Sequence, residues 1–176
     1  AGYKRVGKNF PVFLHPTTKE EYALARTEKK EGLGHRGFST DTSKGITLEE
    51  DLARRDFTIN AIAKDSNGTI FDPFGGIQDI GRKTLRHITD AFRDDPLRVL
   101  RGARFSATLG FQIAEETQGL MLDMVKSGEL KSLSVERIER ELRLAIAGHH
   151  PNYFFETLKK CEAIPQLLPE LDLPQL

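Results

Sequence analysis

Cysteine is almost absent from this sequence, because Cys161 is the single one among 176 residues. A lone cysteine excludes an internal disulfide framework and is typical of a reducing compartment, so we expect a cytoplasmic location. No apolar run approaches the length of a membrane span, and no signal peptide opens the chain. We therefore expect no membrane partner.

An excess of charge of one sign is lacking too, since 26 Lys and Arg residues balance 26 Asp and Glu residues. A chain with 30% charged residues and zero net charge does not resemble a disordered or a globally basic nucleic-acid binder. Positive charge is instead local: between Arg82 and Arg104, seven Lys or Arg residues stand against three Asp residues. Such a patch fits a surface that faces phosphate, and equally well an ordinary solvated surface.

Several common catalytic and ligand-binding motifs are also missing. The sequence contains no GxSxG, P-loop or GxGxxG motif, and its five histidines show no zinc-binding spacing. We expect no metal-binding residues within this chain.

The run DDPLRVLRGARF, from Asp94 to Phe105, is the most informative segment that is present. On a helix, Asp95 and Arg98 project from one face and set an acceptor beside a rigid fork of donors. Cytosine and adenine present a donor beside an acceptor, whereas guanine and uracil present the reverse order. The pair therefore predicts acceptance of C and A, because a wrong base leaves buried polar groups unpaired at about 1–3 kcal/mol each.

The same run has a structural interpretation. Arg101 and Arg104 continue the three-residue stripe and are placed to take a triphosphate, but an arginine stripe is also typical of a solvated helix face. An aspartate just before Pro96 is likewise typical of a helix N-cap. This run alone does not decide between nucleotide recognition and a structural role.

Three further segments accompany this run: RRDFTINA at 54–61, DPFGG at 72–76 and SVERIERE at 134–141. With the run they resemble the RRDFTxNA, DPFGG, (E/D)DxxRxxRxxRF and ERxxxE motifs of class II tRNA nucleotidyltransferases and bacterial poly(A) polymerases. One such motif is weak evidence, but here they stand in family order over most of the chain. The stretch over residues 10–28 looks closer to the proteobacterial CCA-adding branch.

The resemblance implies template-independent addition of C, C and A to tRNA 3′ ends, with CTP and ATP as substrates and Mg²⁺ as cofactor. By position, Asp95 and Arg98 match the residues that select the base. Phosphate-binding positions are matched by Arg55, Arg101 and Arg104, and a ribose-contacting position by Asp56. Supporting roles are expected for Arg26, Glu28, Asn60, Glu136, Arg137 and Glu141.

Those supporting residues differ in their expected tasks. Glu136, Arg137 and Glu141 are expected to brace the nucleotide-binding helix through charge pairs. Asn60 is expected to hold a helix–strand junction. A place beside the active site is implied for Arg26 and Glu28, although a surface ion pair explains them as well.

One departure from the family pattern concerns catalysis. The glycine-rich turn and the DxD pair that hold two Mg²⁺ ions in the family have no counterpart in this sequence. We therefore expect a chain truncated at its N-terminus, with metal-binding carboxylates upstream and little activity on its own. An HD-type domain in many relatives indicates a truncated C-terminus too.

The resemblance and the local patterns together predict an α+β chain. Residues 1–90 are expected to be the remainder of a polymerase-β-like nucleotidyltransferase head, and residues 91–176 a helical neck that carries the selection helix. Predicted strands are 10–14, 22–27, 59–64 and 69–71, with an Asn67–Gly68 hairpin turn. Predicted helices are 95–109, 114–126, 135–147 and 153–161, and a capping box starts another at Thr47. A mobile loop is predicted from Gly32 to Gly45.

Two alternative functions stay open. A bacterial poly(A) polymerase shares the central motifs, and incorporation of CTP distinguishes it from a CCA-adding enzyme. A non-catalytic nucleotide- or RNA-binding protein also fits a sequence without a DxD pair. The oligomeric state is not predicted.

Overall fold

The computed structural model describes residues 2–6, 12–30, 38–41 and 45–169, and the side chains of 28–30 and 38–40 lie outside this description. The predicted mixture of strands and helices is confirmed. Strands dominate the first part of the chain, and helices dominate the part after residue 90. Within the described ranges, no helix is both long and apolar enough to cross a bilayer.

The first strands pair in antiparallel fashion, as consecutive short strands tend to do. One sheet contains β1 (Lys4–Val6), β2 (Val12–Leu14) and β3 (Glu21–Ala23), with Phe13 opposite Tyr22. A separate ribbon pairs β4 (Thr27–Lys30) with β5 (Phe38–Asp41). Residues 38–41 are thus a strand within the predicted loop, most of which lies outside the described residues.

The predicted strand over 22–27 is wrong in its second half. It is interrupted at residues 24–26, so the segment is divided between β3 and β4. At Arg26 the backbone N–H donates to Asp51 and the carbonyl accepts from Arg54. Both groups are therefore unavailable to a strand ladder.

Helix α1 (Leu48–Ala53) begins with the predicted capping box. Thr47 accepts from the Glu50 N–H at 3.2 Å, and the Glu50 carboxylate accepts from the Thr47 N–H at 2.7 Å. After it, Thr58–Asn60 form a 3₁₀ turn, where strand was predicted from Ile59. The hairpin of β6 (Ala63–Lys64) and β7 (Ile70–Phe71) follows, and Gly68 has the positive φ of 89° that its turn requires.

The DPFGG segment starts α2 (Gly76–Gly81), a helix that the sequence patterns do not predict. The Asp72 carboxylate accepts from the N–H groups of Gly76 at 2.7 Å and Ile77 at 2.9 Å. A Cβ on Gly76 would lie 2.2 Å from the Thr58 carbonyl oxygen, so only glycine fits there. The motif is therefore a joint that packs α2 against the 3₁₀ turn.

The second half confirms the four predicted helices to within two residues at each end. They are α3 (Leu97–Leu109), α4 (Glu115–Lys126), α5 (Val135–Ile146) and α6 (Pro151–Lys160), followed by the unpredicted α7 (Ile164–Leu167). The one strand of this half among the described residues, β9 (Gln112–Ile113), pairs in parallel with β8 (Thr84–Leu85) of the first half. Helix α3 ends at Leu109, as predicted, and Gly110 follows it with a left-handed φ of 70°.

Helix α3 lies at the centre of the core and packs against α5 and α6. Its buried face includes Val99, Leu100 and Ala103, and the same cluster contains Phe57 and Leu85 from the first half. The edge-to-face contact of Phe57 with Phe92 crosses residue 90, with ring centroids 5.4 Å apart. The two halves therefore share one core, and the motifs of both halves meet around α3.

Candidate functional site

A cleft of about 930 Å³ lies where the end of α1, the start of α3 and strand β3 meet. We call it the arginine cleft, because five arginines line it together with four carboxylates and several apolar side chains. Its polar lining is Arg26, Arg54, Arg55, Arg98, Arg101, Glu21, Asp51, Asp56, Asp95 and Asn60. This volume suits a nucleotide-sized ligand, since small-molecule sites usually enclose about 300–1,000 Å³.

The end of α1 delivers the RRD segment to this cleft. Leu52 and Phe57 on either side of the segment are buried in the protein interior. With both flanks anchored, Arg54, Arg55 and Asp56 are held at the cleft wall. Arg55 donates to the Asn60 carbonyl at 2.9 Å and to Asp51 at 3.3 Å, and its side chain stays 42% exposed.

The buried Asp56 forms an ion pair with the partly exposed Arg101 in the cleft lining. Arg101 Nε donates to Asp56 Oδ2 at 2.7 Å, and Nη2 of the same guanidinium lies 2.7 Å from that oxygen. The other oxygen of Asp56 accepts from the Phe57 N–H and from the Asn60 amide, each at 2.9 Å. The Asn60 amide thus ties the 3₁₀ turn to Asp56, and its supporting role stays a prediction.

These contacts fix the charge state of Asp56. Burial by itself would raise the pKa of this carboxyl, but the Arg101 guanidinium and the hydrogen bonds from Asn60 and Phe57 outweigh it. The pKa of Asp56 therefore lies below its ordinary value. With its acceptor positions engaged, Asp56 can contact a ribose only if one of these bonds gives way.

Asp95 and Arg98 both line the cleft, but not as two positions on one helix face. The helix predicted from Asp95 begins at Leu97, so that expectation is wrong. Asp95 precedes the helix in extended conformation and its carboxylate accepts from the Leu97 N–H at 3.0 Å. The reason is Pro96, which disfavours helical backbone in the residue before it. The Asp95 carboxylate thus bonds to the first N–H of α3 from one residue before the N-cap position, which Pro96 occupies, and Asp95 remains in the cleft lining.

Both members of this pair are held by other groups. Arg137 on α5 donates to the two oxygens of Asp95 at 3.2 and 3.0 Å. Arg98 donates to the carbonyls of Ala91 at 2.9 Å and Arg54 at 2.5 Å. The acceptor and the donor fork are therefore ordered before any ligand is bound.

Arg104 lies apart from the other stripe residues. It donates through Nε to Glu141 on α5 at 2.6 Å, and its guanidinium lies over the Phe105 ring at 3.9 Å. Its side chain is 13% exposed and Glu141 is 5% exposed, so the pair is buried between α3 and α5. Because Glu141 engages Nε, a phosphate contact from Arg104 would have to use its Nη atoms or open this ion pair.

The residues with expected supporting roles also differ in their positions and contacts. Arg137 and Glu141, both on α5, form ion pairs with Asp95 and Arg104. That these pairs brace the nucleotide-binding helix stays a prediction. Glu136 does not join them: it is exposed in the first turn of α5, where hydrogen bonds from its own backbone N–H and from Ser134 lower its pKa. Arg26 lines the cleft, whereas the side chain of Glu28 lies outside the described part of the chain.

Sequence reasoning misses Asp51 and Arg54. Asp51 is buried and accepts from the Arg26 N–H at 3.1 Å, from Arg54 at 2.6 Å and from Arg55 at 3.3 Å. The signal that could have found it is its position three and four residues before the arginine pair, the spacing at which helical side chains meet. An acid near the start of a helix otherwise indicates only a favourable interaction with the helix N-terminus.

The described residues do not form a resident metal site. No group of three or more His, Cys, Asp or Glu side chains among residues 2–6, 12–30, 38–41 and 45–169 is arranged to hold a metal ion. The carboxylates of the cleft are bonded to arginines or backbone N–H groups instead, as Asp51, Asp56 and Asp95 show.

Two family models match the chain. Residues 3–86 match the model described as "Poly A polymerase head domain". Residues 110–173 match the one described as "Probable RNA and SrmB- binding site of polymerase A". The first match contains the RRD segment, and the second contains α4 to α7.

Curated relatives have the same organisation over this stretch. The chain is 58% identical over 174 residues to the "Multifunctional CCA protein" of Shewanella frigidimarina, a match that covers 97% of the chain and 42% of the relative. The protein of that name from Tolumonas auensis is 56% identical over 174 residues, with the same coverage. The chain thus spans about two-fifths of the length of the curated relatives it matches.

Solved structures share the fold. The Bacillus stearothermophilus CCA-adding enzyme in complex with CTP is 32% identical with a TM-score of 0.78, over 96% of this chain and 41% of that one. A tRNA nucleotidyltransferase complexed with a primer tRNA and an incoming ATP analog is 28% identical with a TM-score of 0.75, over 98% of this chain and 49% of that one.

Proposed function

We propose that this chain, which belongs to the tRNA nucleotidyltransferases with a poly A polymerase head domain, selects and binds nucleotides in an enzyme that adds C, C and A to tRNA 3′ ends. CTP and ATP are the nucleotides and a tRNA 3′ end is the acceptor. The observation that carries the proposal is the arginine cleft, in which an ordered acceptor and an ordered donor fork stand beside arginines that suit phosphate.

Base selection is assigned to Asp95 and Arg98. The Asp95 carboxylate accepts a hydrogen bond from the amino group of cytosine or adenine, and Arg98 donates to the neighbouring ring nitrogen. Guanine and uracil present the opposite order, which would set an acceptor against the Asp95 carboxylate and a donor against the Arg98 guanidinium. Arg137 supports this role because it fixes the orientation of the Asp95 carboxylate.

Triphosphate binding is assigned to Arg55 and Arg101, which reach the cleft with partly exposed guanidinium groups. Arginine suits phosphate oxygens through paired, charge-assisted hydrogen bonds. Asp56 orients Arg101 and contacts the ribose after rearrangement. Arg104 is proposed to act through the packing of α3 on α5, and Arg26, Glu28 and Asn60 to support the cleft wall.

Enzymes of this family generally use a divalent metal ion, and we propose Mg²⁺ for this one. When bound, the metal activates the attacking hydroxyl and stabilises the departing pyrophosphate. The described residues do not fit that ion, and the sequence contains no DxD pair. The 176 residues taken alone are therefore proposed to bind nucleotides without efficient turnover.

Two further parts of the proposal concern the division of the chain into domains and its location in the cell. Residues 1–90 are assigned to a nucleotidyltransferase head and residues 91–176 to a neck, joined by the core around α3. A cytoplasmic location is proposed, in keeping with tRNA as the substrate.

The test uses the full-length protein and a tRNA transcript that ends before CCA. With CTP and ATP together, the expected product is longer by C, C and A; with CTP alone, it is longer by two C residues. Addition of A alone, with no incorporation of CTP, would favour a poly(A) polymerase. No addition by a folded, metal-supplied protein would favour a binding protein and contradict the proposal.

A further inference from the structure

Asp51 occupies an unusual position for an acid. It lies on α1 at the wall of the arginine cleft and is 6% exposed. Oδ1 accepts from the Arg26 N–H at 3.1 Å and from Arg54 Nη2 at 2.6 Å. Oδ2 accepts from Arg55 Nη2 at 3.3 Å. One carboxylate therefore joins both arginines of the RRD segment to the backbone of the neighbouring chain segment.

The charge of Asp51 has the same sign as that of a triphosphate, so Asp51 does not itself favour that ligand. Burial by itself would raise the pKa of this carboxyl, but Arg54, the Arg26 N–H and Arg55 outweigh it, so the pKa lies below its ordinary value. Asp51 is thus an anion at neutral pH and repels phosphate. Its presence in the cleft wall has to be explained by what it does to the arginines.

The first effect of Asp51 is on Arg55. The Arg55 side chain is 42% exposed, and a free arginine has about 2 kcal/mol of rotamer entropy to lose on binding. Asp51 holds Nη2 while the Asn60 carbonyl holds Nη1. These two contacts order the guanidinium before a nucleotide arrives, which lowers the entropic cost of binding.

The second effect runs through Arg54. Asp51 holds Nη2 of this residue, and the Arg26 carbonyl accepts from its Nε at 2.8 Å. The carbonyl of Arg54 in turn accepts from Arg98 at 2.5 Å. Asp51 therefore fixes the side chain of Arg54, and the main-chain carbonyl of Arg54 fixes Arg98.

We propose that Asp51 is a positioning residue for nucleotide binding, which orders Arg55 for the triphosphate and anchors Arg54 so that Arg98 stays aligned with the base. This inference rests on the proposed function. It assigns to Asp51 no contact with the nucleotide and no part in the chemistry.

The test compares Asp51→Asn with Glu49→Gln in the full-length protein. Both variants remove one negative charge from α1, but Glu49 is exposed and lies outside the cleft lining. For Asp51→Asn we expect the KM for CTP and for ATP to rise about tenfold, the loss of one charge-assisted hydrogen bond, while kcat changes little. Glu49→Gln is expected to leave both constants unchanged.

A second comparison distinguishes positioning from general destabilisation. In an Arg55→Gln background, Asp51→Asn is expected to raise KM by less than about threefold, because coupled residues are not additive. If Asp51→Asn folds poorly, the double variant Asp51→Asn/Arg54→Met removes the buried anion with its nearest cation and is expected to show the same rise in KM.

The outcomes separate the two proposals. If the wild-type protein adds neither C nor A, the proposed function fails. If the wild type adds both but Asp51→Asn matches Glu49→Gln, the inference on Asp51 alone is overturned. That inference is also overturned if Asp51→Asn raises KM by an equal factor with and without Arg55.

Discussion

Arg101 and Arg104 stand one helical turn apart on α3, and each pairs with a buried carboxylate, yet they serve different regions. Arg101 pairs with Asp56 from the first half of the chain, is 33% exposed and lines the cleft. Arg104 pairs with Glu141 from α5 and is 13% exposed. The position of the carboxylate partner accounts for the difference in exposure. Pairing with Asp56 leaves Arg101 accessible to a ligand in the cleft, whereas pairing with Glu141 buries Arg104 between α3 and α5.

The largest expected effect is on the free energy of unfolding, which we expect to depend more on the Arg104–Glu141 pair than on the Arg101–Asp56 pair. Arg104→Ala leaves Glu141 buried without its cation and is expected to lower the free energy of unfolding by about 3–5 kcal/mol. Affinity for CTP in the folded fraction is expected to stay close to that of the wild type. Urea unfolding and equilibrium binding measure the two quantities.

The control for this prediction is the double variant Arg104→Met/Glu141→Leu. Replacing a buried ion pair by apolar side chains is often neutral, so the double variant is expected to recover to within about 1 kcal/mol of the wild type. An unfolding midpoint equal to that of Arg104→Ala would show that the pair is not the cause. A uniform loss of affinity for all four nucleotides with normal stability would restore the phosphate role of Arg104.

The next effect concerns affinity. Arg101→Ala is expected to weaken binding of CTP, ATP, GTP and UTP alike by on the order of 10- to 100-fold, the worth of one charge-assisted hydrogen bond. Its cost in stability is expected to be smaller than for Arg104→Ala, because a partly exposed guanidinium is screened by solvent. A loss confined to some bases would contradict phosphate binding by Arg101.

The smallest effect is the pH dependence of stability. The pKa of Asp56 is lower in the folded protein than its ordinary value of about 3.9, so its contribution is fully present above that value. The contribution is lost as pH falls through the lower, folded pKa. Unfolding free energy measured from about pH 6 to acid is expected to fall less steeply for Asp56→Asn than for the wild type. Equal slopes would mean that Arg101 does not favour the charged form of Asp56.

Sequence patterns sufficed wherever the determinants are local. The capping box at Thr47, the turn at Gly68 and the stop of α3 at Gly110 each depend on a few adjacent residues, and all are confirmed. The four long helices followed from their apolar periodicity for the same reason. The motifs in turn led to the family whose models match the chain and to most of the polar lining of the cleft.

Several failures have non-local causes, and one has a local cause. The strand over 22–27 is interrupted by Asp51 and Arg54, which take the Arg26 backbone groups from 25 and 28 residues away. The difference between Arg101 and Arg104 depends on partners 45 and 37 residues away. No three-residue spacing contains that information. The exception is Asp95, where the local effect of Pro96 delays the start of the helix.

Base selection by Asp95 and Arg98 is best tested by titrating the folded chain with CTP, ATP, GTP and UTP in Mg²⁺. We expect CTP and ATP to bind at least about tenfold more tightly than GTP and UTP, the cost of an unpaired buried polar group. The preference should disappear in Arg98→Met. Equal binding of all four nucleotides by the folded wild-type chain would contradict base selection and leave Asp95 as a helix cap alone.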